Sequence, residues 1–576
     1  MFFSSKKQDS VYRLGQELPL PERFRFSGKQ SDSVLEEGKN RLIVTIFLFC
    51  AAFTIVGGKL CSVSLHGFSE EPRRERRIQT RALDIKMERA DIIDRNGVVL
   101  ATSLPSADLY VDTETLKNPE TLAAAVAETL PDVKYKPLLK KLKSGKKFVY
   151  VKRNLIPREL YEANRLGFPQ LNFETGEVRV YPQGPLFSHV LGWADIDGKG
   201  IAGVEQAMND KLLKDKEILR LSLDAGVQNS VRSVLLDSVK KYMAEGASAI
   251  LMNAKTGEIV SMVSLPDFDP NNRRGAIPPA NTITAGKYEL GSVMKTFNTA
   301  IGLDSGSIKV SDTFDARNPL ILAGFKIRDE KKVQKILTLS EVMEKSSNIG
   351  SAKIALSVGK KKQREYLEKF GLLSRSIIEL PETVIPSAPS SWGDLSTATI
   401  GYGYGLSVSP LHVVAAAAAV VNGGVYHTPT LLSRRTASEK KGRRVISEKT
   451  SATMRAIMRK VVMHGTAKRA NIAGYEVGGK TGSARKVEKG KYVEGKIRTS
   501  FLGAFPMDDP QYVLMVMIDA PKGIAETHNF NNAGWNAVPT AGRIISTVAP
   551  QLGILPRPFD SKTDAPYVKA ALETQG

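Results

Sequence analysis

Three short polar motifs follow one another along the chain: Ser292-Val293-Met294-Lys295, Ser346-Ser347-Asn348 and Lys480-Thr481-Gly482. A serine hydroxyl must lose its proton to attack a carbonyl, and the histidines (His66, His189, His412, His427, His464, His528) are scattered, with none placed to take it. A neutral lysine one helical turn away can do so. Gly291 before Ser292 reads as a helix start, which would put Ser292 and Lys295 on one face. The lysine pKa must then fall from ~10.4 toward ~7, a change of roughly 4 kcal/mol. Burial and a second cation, with Lys480 the candidate, would supply that shift. Ser346 would relay a proton toward the leaving group, and Asn348 would donate to the substrate backbone. The hydroxyls of Thr481 and Ser483, with Lys480, suit a terminal carboxylate, while Gly482 lets a ligand approach an edge strand closely. Backbone N–H groups of Ser292 and Ser483 would form an oxyanion hole, a contribution of about 3 kcal/mol per donor.

Each motif alone is weak. S-x-x-K recurs at Ser4, Ser144, Ser238, Ser357, Ser438 and Ser483, and Lys255-Thr256-Gly257 is a second K-T-G, placed where a hairpin turn is expected. Order, spacing and context carry the signal. Helical periodicity is expected over Pro119–Thr129, Ala225–Met243, Ser292–Ser305, Ser340–Val358 and Pro410–Val421, the last ended by Asn422-Gly423-Gly424. Strands are expected on either side of Lys255-Thr256-Gly257 within Ala247–Ser264, and late in the chain at Thr499–Pro506 and Tyr512–Ala520. Helices in the middle and strands at both ends predict an α+β domain with an antiparallel sheet over residues 217–560. From Arg89 to about Lys216 the chain reads as a smaller α/β module, with Asn96-Gly97 as a hairpin turn and Asp94-Arg95-Asn96-Gly97 as a turn carrying a salt bridge. Gly401-Tyr402-Gly403-Tyr404-Gly405 lacks the strand and Gly-Lys context of a phosphate loop. The basic runs Arg73–Arg77 and Lys136–Lys147 read as solvated faces.

The chain has 576 residues, 42% of them hydrophobic, and 82 Lys+Arg against 60 Asp+Glu leave a net charge of +22. That length fits roughly three to four domains and excludes a disulfide-stapled mini-protein or a wholly disordered chain. The positive surplus points to anionic partners, whether nucleic acid, phospholipid head groups or an acidic polymer, without choosing among them. Cys50 and Cys61 fall in one apolar run, ~16 Å apart along a helix axis, too far to bond. Everything after Cys61 is free of thiols, so a disulfide framework or Cys-ligated metal in the main body is ruled out. The histidine spacing gives no zinc site. No metal and no cofactor is expected.

Residues 42–58 carry no charge. With the continuation past Lys59 to Leu65 they would make a helix of ~36 Å, enough for a ~30 Å hydrocarbon core if Lys59 snorkels. The polar residues 1–41 are too many for a signal-peptide n-region, and Lys59 stands where a lipobox at Cys61 needs a small residue. An uncleaved single-pass anchor over 42–65 is expected, after a flexible tail over 1–41. Arg23, Arg25, Lys29, Lys39 and Arg41 balance Arg73, Arg74, Arg76, Arg77 and Arg81, so charge leaves the orientation open.

The three motifs together resemble the penicillin-binding proteins, serine acyltransferases described by S-x-x-K, S-x-N and K-T-G. The resemblance spans nearly the whole chain from Arg89: ADIIDRNGVVLA, RVYPQGPLFSHVLGW, GIAGVE, LSLDAGVQ, KTGEIVSMVSLPDFDPN, YELGSVMKTF, KSSNIGSAKIA, GYGYGLSVSPLH, VGGKTGSARK and AFPMDDPQYVLMVM are all similar to class B, monofunctional members. The single anchor, the N-terminal module and AGWNAVPTAGRII are most similar to the FtsI type. The resemblance implies a serine β-lactamase-like transpeptidase domain over 217–560, with a central antiparallel sheet flanked by helices. It also implies a pedestal module of the dimerisation type over 66–216, one transmembrane helix and a tail over 561–576. The implied activity is a septal D,D-transpeptidase. Ser292 would attack the D-Ala-D-Ala end of a peptidoglycan stem peptide, release D-Ala and pass the acyl group to an amine on a neighbouring stem. Lys295, Ser346, Asn348 and Lys480 would be the other catalytic groups, and Thr481, Gly482 and Ser483 the substrate-binding ones. Implied partners are β-lactams as covalent inhibitors, a SEDS-family lipid II polymerase, other division proteins and the inner membrane, with no nucleic acid. The implied topology is a cytoplasmic N-terminus and a periplasmic catalytic domain.

The sequence departs from the family pattern in places. Ser483 stands where Thr is usual, Leu290 replaces a common Pro, Asn281-Thr282 replaces Asn-Arg and Ala90 replaces Gly. The alternatives within serine chemistry are an elongation-type transpeptidase, a D,D-carboxypeptidase, and a β-lactam-hydrolysing or sensing protein. A hydrolase needs a base for the deacylating water, and no E-x-x-L-N-type segment lies between Ser346 and Lys480. A bifunctional member would need an E-D-x-x-F-type signature, which the N-terminal module lacks. A non-enzymatic scaffold or basic nucleic-acid binder would keep its function without Ser292.

Overall fold

The structure is a computed structural model that describes residues 32–66, 89–272, 277–330, 333–434, 442–488 and 491–558. The basic run Arg73–Arg77, with Arg81, lies outside the described residues, as do the tails over 1–31 and 559–576. The chain forms two compact units, residues 1–86 and residues 87–576.

The first unit contributes one described element, the helix Asp32–His66, which takes in the whole apolar run. Side chains are described from Ile43 to Lys59, and the large apolar ones are exposed, Phe47 by 76%. Among the described residues no helix is long and apolar enough to cross a membrane.

The second unit begins with the small α/β module. Its spine is the long strand Val99–Asp112, paired antiparallel with Phe148–Leu155 on one side and Leu171–Val180 on the other. Its start turns back onto Ile92–Ile93, which pairs in parallel with Leu219–Arg220. The helix Pro119–Thr129 occupies the expected range and buries Leu122, Ala123 and Val126 against this sheet's core. The Asp94–Gly97 turn forms, but without the expected salt bridge. Asp94 is fully buried and accepts from the backbone N–H groups of Asn96, Val98 and Ala225 at 2.8, 2.8 and 3.0 Å. The Arg95 guanidinium donates instead to the Ser222 carbonyl at 2.8 Å. A carboxylate in the turn is better matched by fixed N–H donors than by a mobile cation.

A buried ionic triad lies under this sheet. Glu205, fully buried, accepts from Arg89 Nε at 2.6 Å and from Arg179 Nε at 2.7 Å. The module joins the following domain through side chain to backbone bonds. Asn271 spans both backbone groups of Tyr181 at 2.9 and 3.0 Å, and Asn281 donates to the His189 carbonyl at 3.2 Å. Asn281 and Thr282, which depart from the family pattern, are thus both engaged, Thr282 through a 2.8 Å contact with Ser264.

The larger domain is built on a five-stranded antiparallel sheet. We label its main elements α1 (Ala225–Lys241), β1 (Gly246–Asn253), β2 (Ile259–Leu265), α2 (Lys295–Asp304), α3 (Asn348–Val358), α4 (Pro410–Val421), α5 (Glu448–His464), β3 (Gly478–Glu488), β4 (Lys491–Phe505), β5 (Tyr512–Asp519) and α6 (Ala537–Gln551). The strand order is β3-β4-β5-β1-β2, so β3 with its K-T-G sequence is an edge. The central strands β1 and β5 are buried almost throughout, which is why they read as continuous apolar runs rather than alternating ones. Lys255-Thr256-Gly257 is the β1–β2 turn, with Asn253 Oδ1 accepting from Lys255 N and Thr256 N at 2.9 and 3.1 Å. Helix α4 keeps the expected bounds and is buried on every side, as a helix without a polar face must be. The α+β class and the antiparallel sheet agree with the sequence expectation. One helix does not. The stretch expected to run unbroken from Ser340 to Val358 is two helices, Leu339–Glu344 and α3, separated by Ser346 at a φ of 58°.

Candidate active site

The nucleophile motif starts as one turn of 3₁₀ helix, Gly291–Met294, that continues directly into α2. In a 3₁₀ turn residues i and i+3 eclipse, so Ser292 and Lys295 share a side as expected. The turn is held from behind by the G-Y-G-Y-G segment, which lies against it. Gly291 N donates to the Gly403 carbonyl at 3.2 Å, and a Cβ on Gly403 would sit 1.8 Å from Gly291 O, at a φ of 108°. From the front, edge strand β3 presses against it. A Cβ on Gly482 would fall 2.5 Å from Leu290 O and 2.8 Å from Val293. Only a glycine lets K-T-G come this close to the serine.

The break between Leu339–Glu344 and α3 places the second motif. Ser346 adopts a left-handed backbone conformation that L-residues rarely take, which turns both its carbonyl and its hydroxyl toward α2. Lys295, completely buried, donates to Ser346 O at 2.6 Å, to Asn348 Oδ1 at 2.7 Å and to Ser346 Oγ at 3.2 Å. Lys480, also completely buried, donates to the same Ser346 Oγ at 2.9 Å and to Thr481 O at 3.2 Å. The three motifs therefore meet on one hydroxyl. Among the described residues no hydrogen bond ties the Ser292 hydroxyl.

Burial pushes the Lys295 amine down to about 7, against the opposing pull of Asp329 and Glu330. Lys480 is held well below the usual lysine range, first by burial and then by the neighbouring Lys295 charge. The sequence reading names burial and a second cation, Lys480, as the causes of the Lys295 shift. In the structure burial is the main cause for both, and two desolvated ammonium groups on one hydroxyl do not both stay charged. A neutral Lys295 has two hydrogens. Spent on Ser346 O and Asn348 Oδ1, they leave its lone pair available to accept a proton.

Asn348 is more committed than expected. Its oxygen accepts from Lys295, and its nitrogen donates to Arg328 O at 3.0 Å, which leaves one N–H for a substrate backbone. Thr481 Oγ1 contacts Thr466 Oγ1 at 2.7 Å, and Ser483 Oγ accepts from Ala533 N at 3.2 Å. A hydroxyl that accepts still has its own hydrogen to donate, so Ser483 keeps the capacity to bind a carboxylate beside Lys480, and Thr481 keeps it when Thr466 is the donor in their contact. The backbone of Ser292 and that of Ser483 lie on the two segments that Gly482 lets touch, the segments to which the sequence reading assigns the oxyanion hole.

Sequence reasoning missed Asp329, Thr466 and the Ala533 backbone. Asp329 stands in the charged run Arg328-Asp329-Glu330, which reads as a solvated loop and carries no spacing signal. Among the described residues no group of His, Cys, Asp or Glu is placed to hold a metal ion.

Comparison with known proteins bears on this geometry. Residues 247–539 match the penicillin binding protein transpeptidase domain and residues 84–226 the penicillin-binding protein dimerisation domain. Among curated proteins, the chain is 36% identical to the probable peptidoglycan D,D-transpeptidase FtsI of Caulobacter vibrioides, over 82% of this chain and 83% of that one. It is 32% identical to the stage V sporulation protein D of Bacillus subtilis, over 87% and 82% respectively. Among solved structures, penicillin-binding protein 3 of Mycobacterium tuberculosis, complexed with aztreonam, shares the fold at 23% identity, with a TM-score of 0.64 over 82% of this chain and 97% of the other. With a transpeptidase domain, a dimerisation domain and a relative of this closeness, the chain belongs to the class B penicillin-binding proteins, of the FtsI type.

Proposed function

We propose that this protein is the septal peptidoglycan D,D-transpeptidase of its cell, working through an acyl-enzyme on Ser292. The observation that carries this reading is the Ser346 hydroxyl, bonded at once to two buried lysines, one from each of the other motifs.

The terminal D-Ala carboxylate of a donor stem peptide docks against Lys480, Thr481 and Ser483, and restores the charge on Lys480 that burial disfavours. Neutral Lys295 takes the Ser292 proton as Oγ forms a bond to the penultimate D-Ala carbonyl carbon. The N–H groups of Ser292 and Ser483 hold the developing oxyanion. As the tetrahedral intermediate collapses, the bond to the terminal D-Ala nitrogen breaks and that nitrogen receives a proton through Ser346 Oγ. An amine from a second stem then attacks the ester and its proton passes to Lys295. The new amide forms and Ser292 Oγ leaves, reprotonated. A β-lactam follows the first half alone: its ring C–N bond breaks, the nitrogen stays tethered, and the ester persists.

The charge-free run over residues 42–58 of the sequence supports a single inner-membrane anchor, with residues 1–41 cytoplasmic and the catalytic domain periplasmic. A lipid II polymerase of the SEDS family and other division proteins are the partners this arrangement would serve. The test is mass spectrometry of the intact full-length chain after penicillin treatment, with the adduct mapped by peptide. A stable adduct on the Ser292 peptide, absent in Ser292→Ala, is expected. Rapid release of hydrolysed penicillin would reject the transpeptidase in favour of a β-lactam hydrolase. Depletion imaging, with filamentation expected, separates septal duty from elongation.

A further inference from the structure

We propose that Asp329 is a positioning residue for the reaction: its carboxylate fixes the Ser346–Asn348 turn against Lys295. The inference rests on the acyl-enzyme reading above and adds a residue outside all three motifs.

The geometry is local and complete. Asp329 accepts from Ser347 Oγ with both oxygens, at 3.0 and 2.9 Å, and from Ile349 N at 3.0 Å. Ser347 is fully buried and in turn accepts from Gly350 N at 3.0 Å, as the N-cap of α3. One residue earlier, Arg328 O accepts from Asn348 Nδ2 at 3.0 Å. Two consecutive residues thus hold both Ser347 and Asn348, the two positions that follow Ser346. A negative charge at the first turn of α3 also meets the positive end of the helix dipole.

The segment that brings Asp329 there is itself anchored. It leaves the hairpin Leu320–Leu322/Phe325–Ile327, whose Ile327 is buried with Ala352 of α3 and Ala398. Asp329 therefore reaches α3 from a strap packed on that same helix. The consequence for chemistry follows from the Ser346 φ of 58°. A left-handed non-glycine residue persists only when its surroundings over-determine it, and Ser347 is the next residue. Without the Asp329 carboxylate the turn can relax toward ordinary helix, the continuous form that the sequence alone suggests. Ser346 O and Asn348 Oδ1 would then withdraw from Lys295.

Charge is a second route. Asp329 and Glu330 are the carboxylates that favour the charged form of Lys295, while the Lys480 amine across Ser346 is itself depressed by burial and by the Lys295 charge. Removing the Asp329 charge lets Lys295 lose its proton at lower pH.

The experiment measures second-order acylation of the full-length chain by a fluorescent penicillin across pH, for the unaltered protein, Asp329→Asn and Asp329→Ala. Asparagine keeps an acceptor and removes the charge; alanine removes both. The acid limb of the profile is expected to move to lower pH in both variants, and the plateau rate to fall about tenfold in Asp329→Ala but less in Asp329→Asn. Thermal unfolding identifies any variant that fails to fold, and Asp329→Asn, which preserves the shape, then carries the test. Native plateau and unmoved limb in both variants overturn the proposal. So does a lowered melting temperature in Asp329→Ala with an unmoved limb in Asp329→Asn, which marks a purely structural cap. If the unaltered protein takes no label on Ser292, the functional reading fails instead, and the two failures are distinct.

Discussion

The Ser346 hydroxyl lies 2.9 Å from the Lys480 amine, although the two residues are 134 positions apart. With Lys295 Nζ at 3.2 Å from the same oxygen, a single hydroxyl links both amines. A proton moving from either lysine toward a leaving group has Ser346 as its one-atom bridge. Lys295 and Lys480 are completely buried and Ser346 is half-buried, which limits bypass of that bridge by bulk water.

Acylation should rise with pH through the neutral range. Lys295 must be neutral to accept the Ser292 proton, and burial sets its pKa at about 7. Below that value the amine is charged and the rate falls about tenfold per pH unit; above it the rate levels off. Stopped-flow acylation from pH 5.5 to 9 checks this. A flat profile would show that Lys295 is not the base.

Lys480 and the donor carboxylate should act as a pair. Converting the carboxylate of a penicillin to its methyl ester is expected to slow acylation of the unaltered protein about 100-fold, in the range of lost charge-assisted bonds. Lys480→Ala should slow the free acid by a similar factor and the ester much less. The double-mutant cycle isolates the interaction, and equal losses for acid and ester in Lys480→Ala would place the lysine elsewhere in the reaction.

Gly403 should be intolerant of any side chain. A Cβ there falls 1.8 Å from Gly291 O, at a φ of 108° that L-residues rarely adopt. Gly403→Ala must push the Gly291–Ser292 turn forward, and displacement of a nucleophile by about 1 Å costs on the order of 100-fold. Labelling by fluorescent penicillin reads this out. Circular dichroism matching the unaltered protein confirms that the loss is local.

Glu205 should matter for stability rather than chemistry. Its carboxylate sits fully buried between Arg89 and Arg179, whose side chains are 3% and 5% exposed. Glu205→Ala leaves two buried guanidinium groups uncompensated, at a cost of about 3–5 kcal/mol. Urea unfolding of the full chain measures it, and the adduct on Ser292 under native conditions should still form. Loss of less than about 1 kcal/mol would mean that water enters the triad and solvates the arginines.

Much of the fold was legible because it follows from local rules. The bounds of Pro119–Thr129 and α4 are written in a proline start, a stretch of helix formers and, for α4, an Asn-Gly-Gly stop. The strands β1 and β5 are apolar runs that only burial on both faces explains. Ser292 and Lys295 are close in sequence, so their common side is set by helical geometry alone. The remainder depended on distance through space. Ser340–Val358 carries a local helix signal in Ser347, the cap on α3, and its helical period by itself does not require a break. It breaks at Ser346 because a buried lysine from α2 and a carboxylate from a distant strap offer the freed backbone and Ser347 stronger partners than another helical turn would. The turn around Asp94 lacks its expected salt bridge because two N–H groups of its own loop, joined by Ala225 N at the start of α1, occupy the carboxylate. The order of charges between Lys295 and Lys480 was likewise decided only on folding. Residue types name two amines, but which of them stays protonated is a matter of how much water each has lost and how near the other lies, and both quantities exist only in three dimensions.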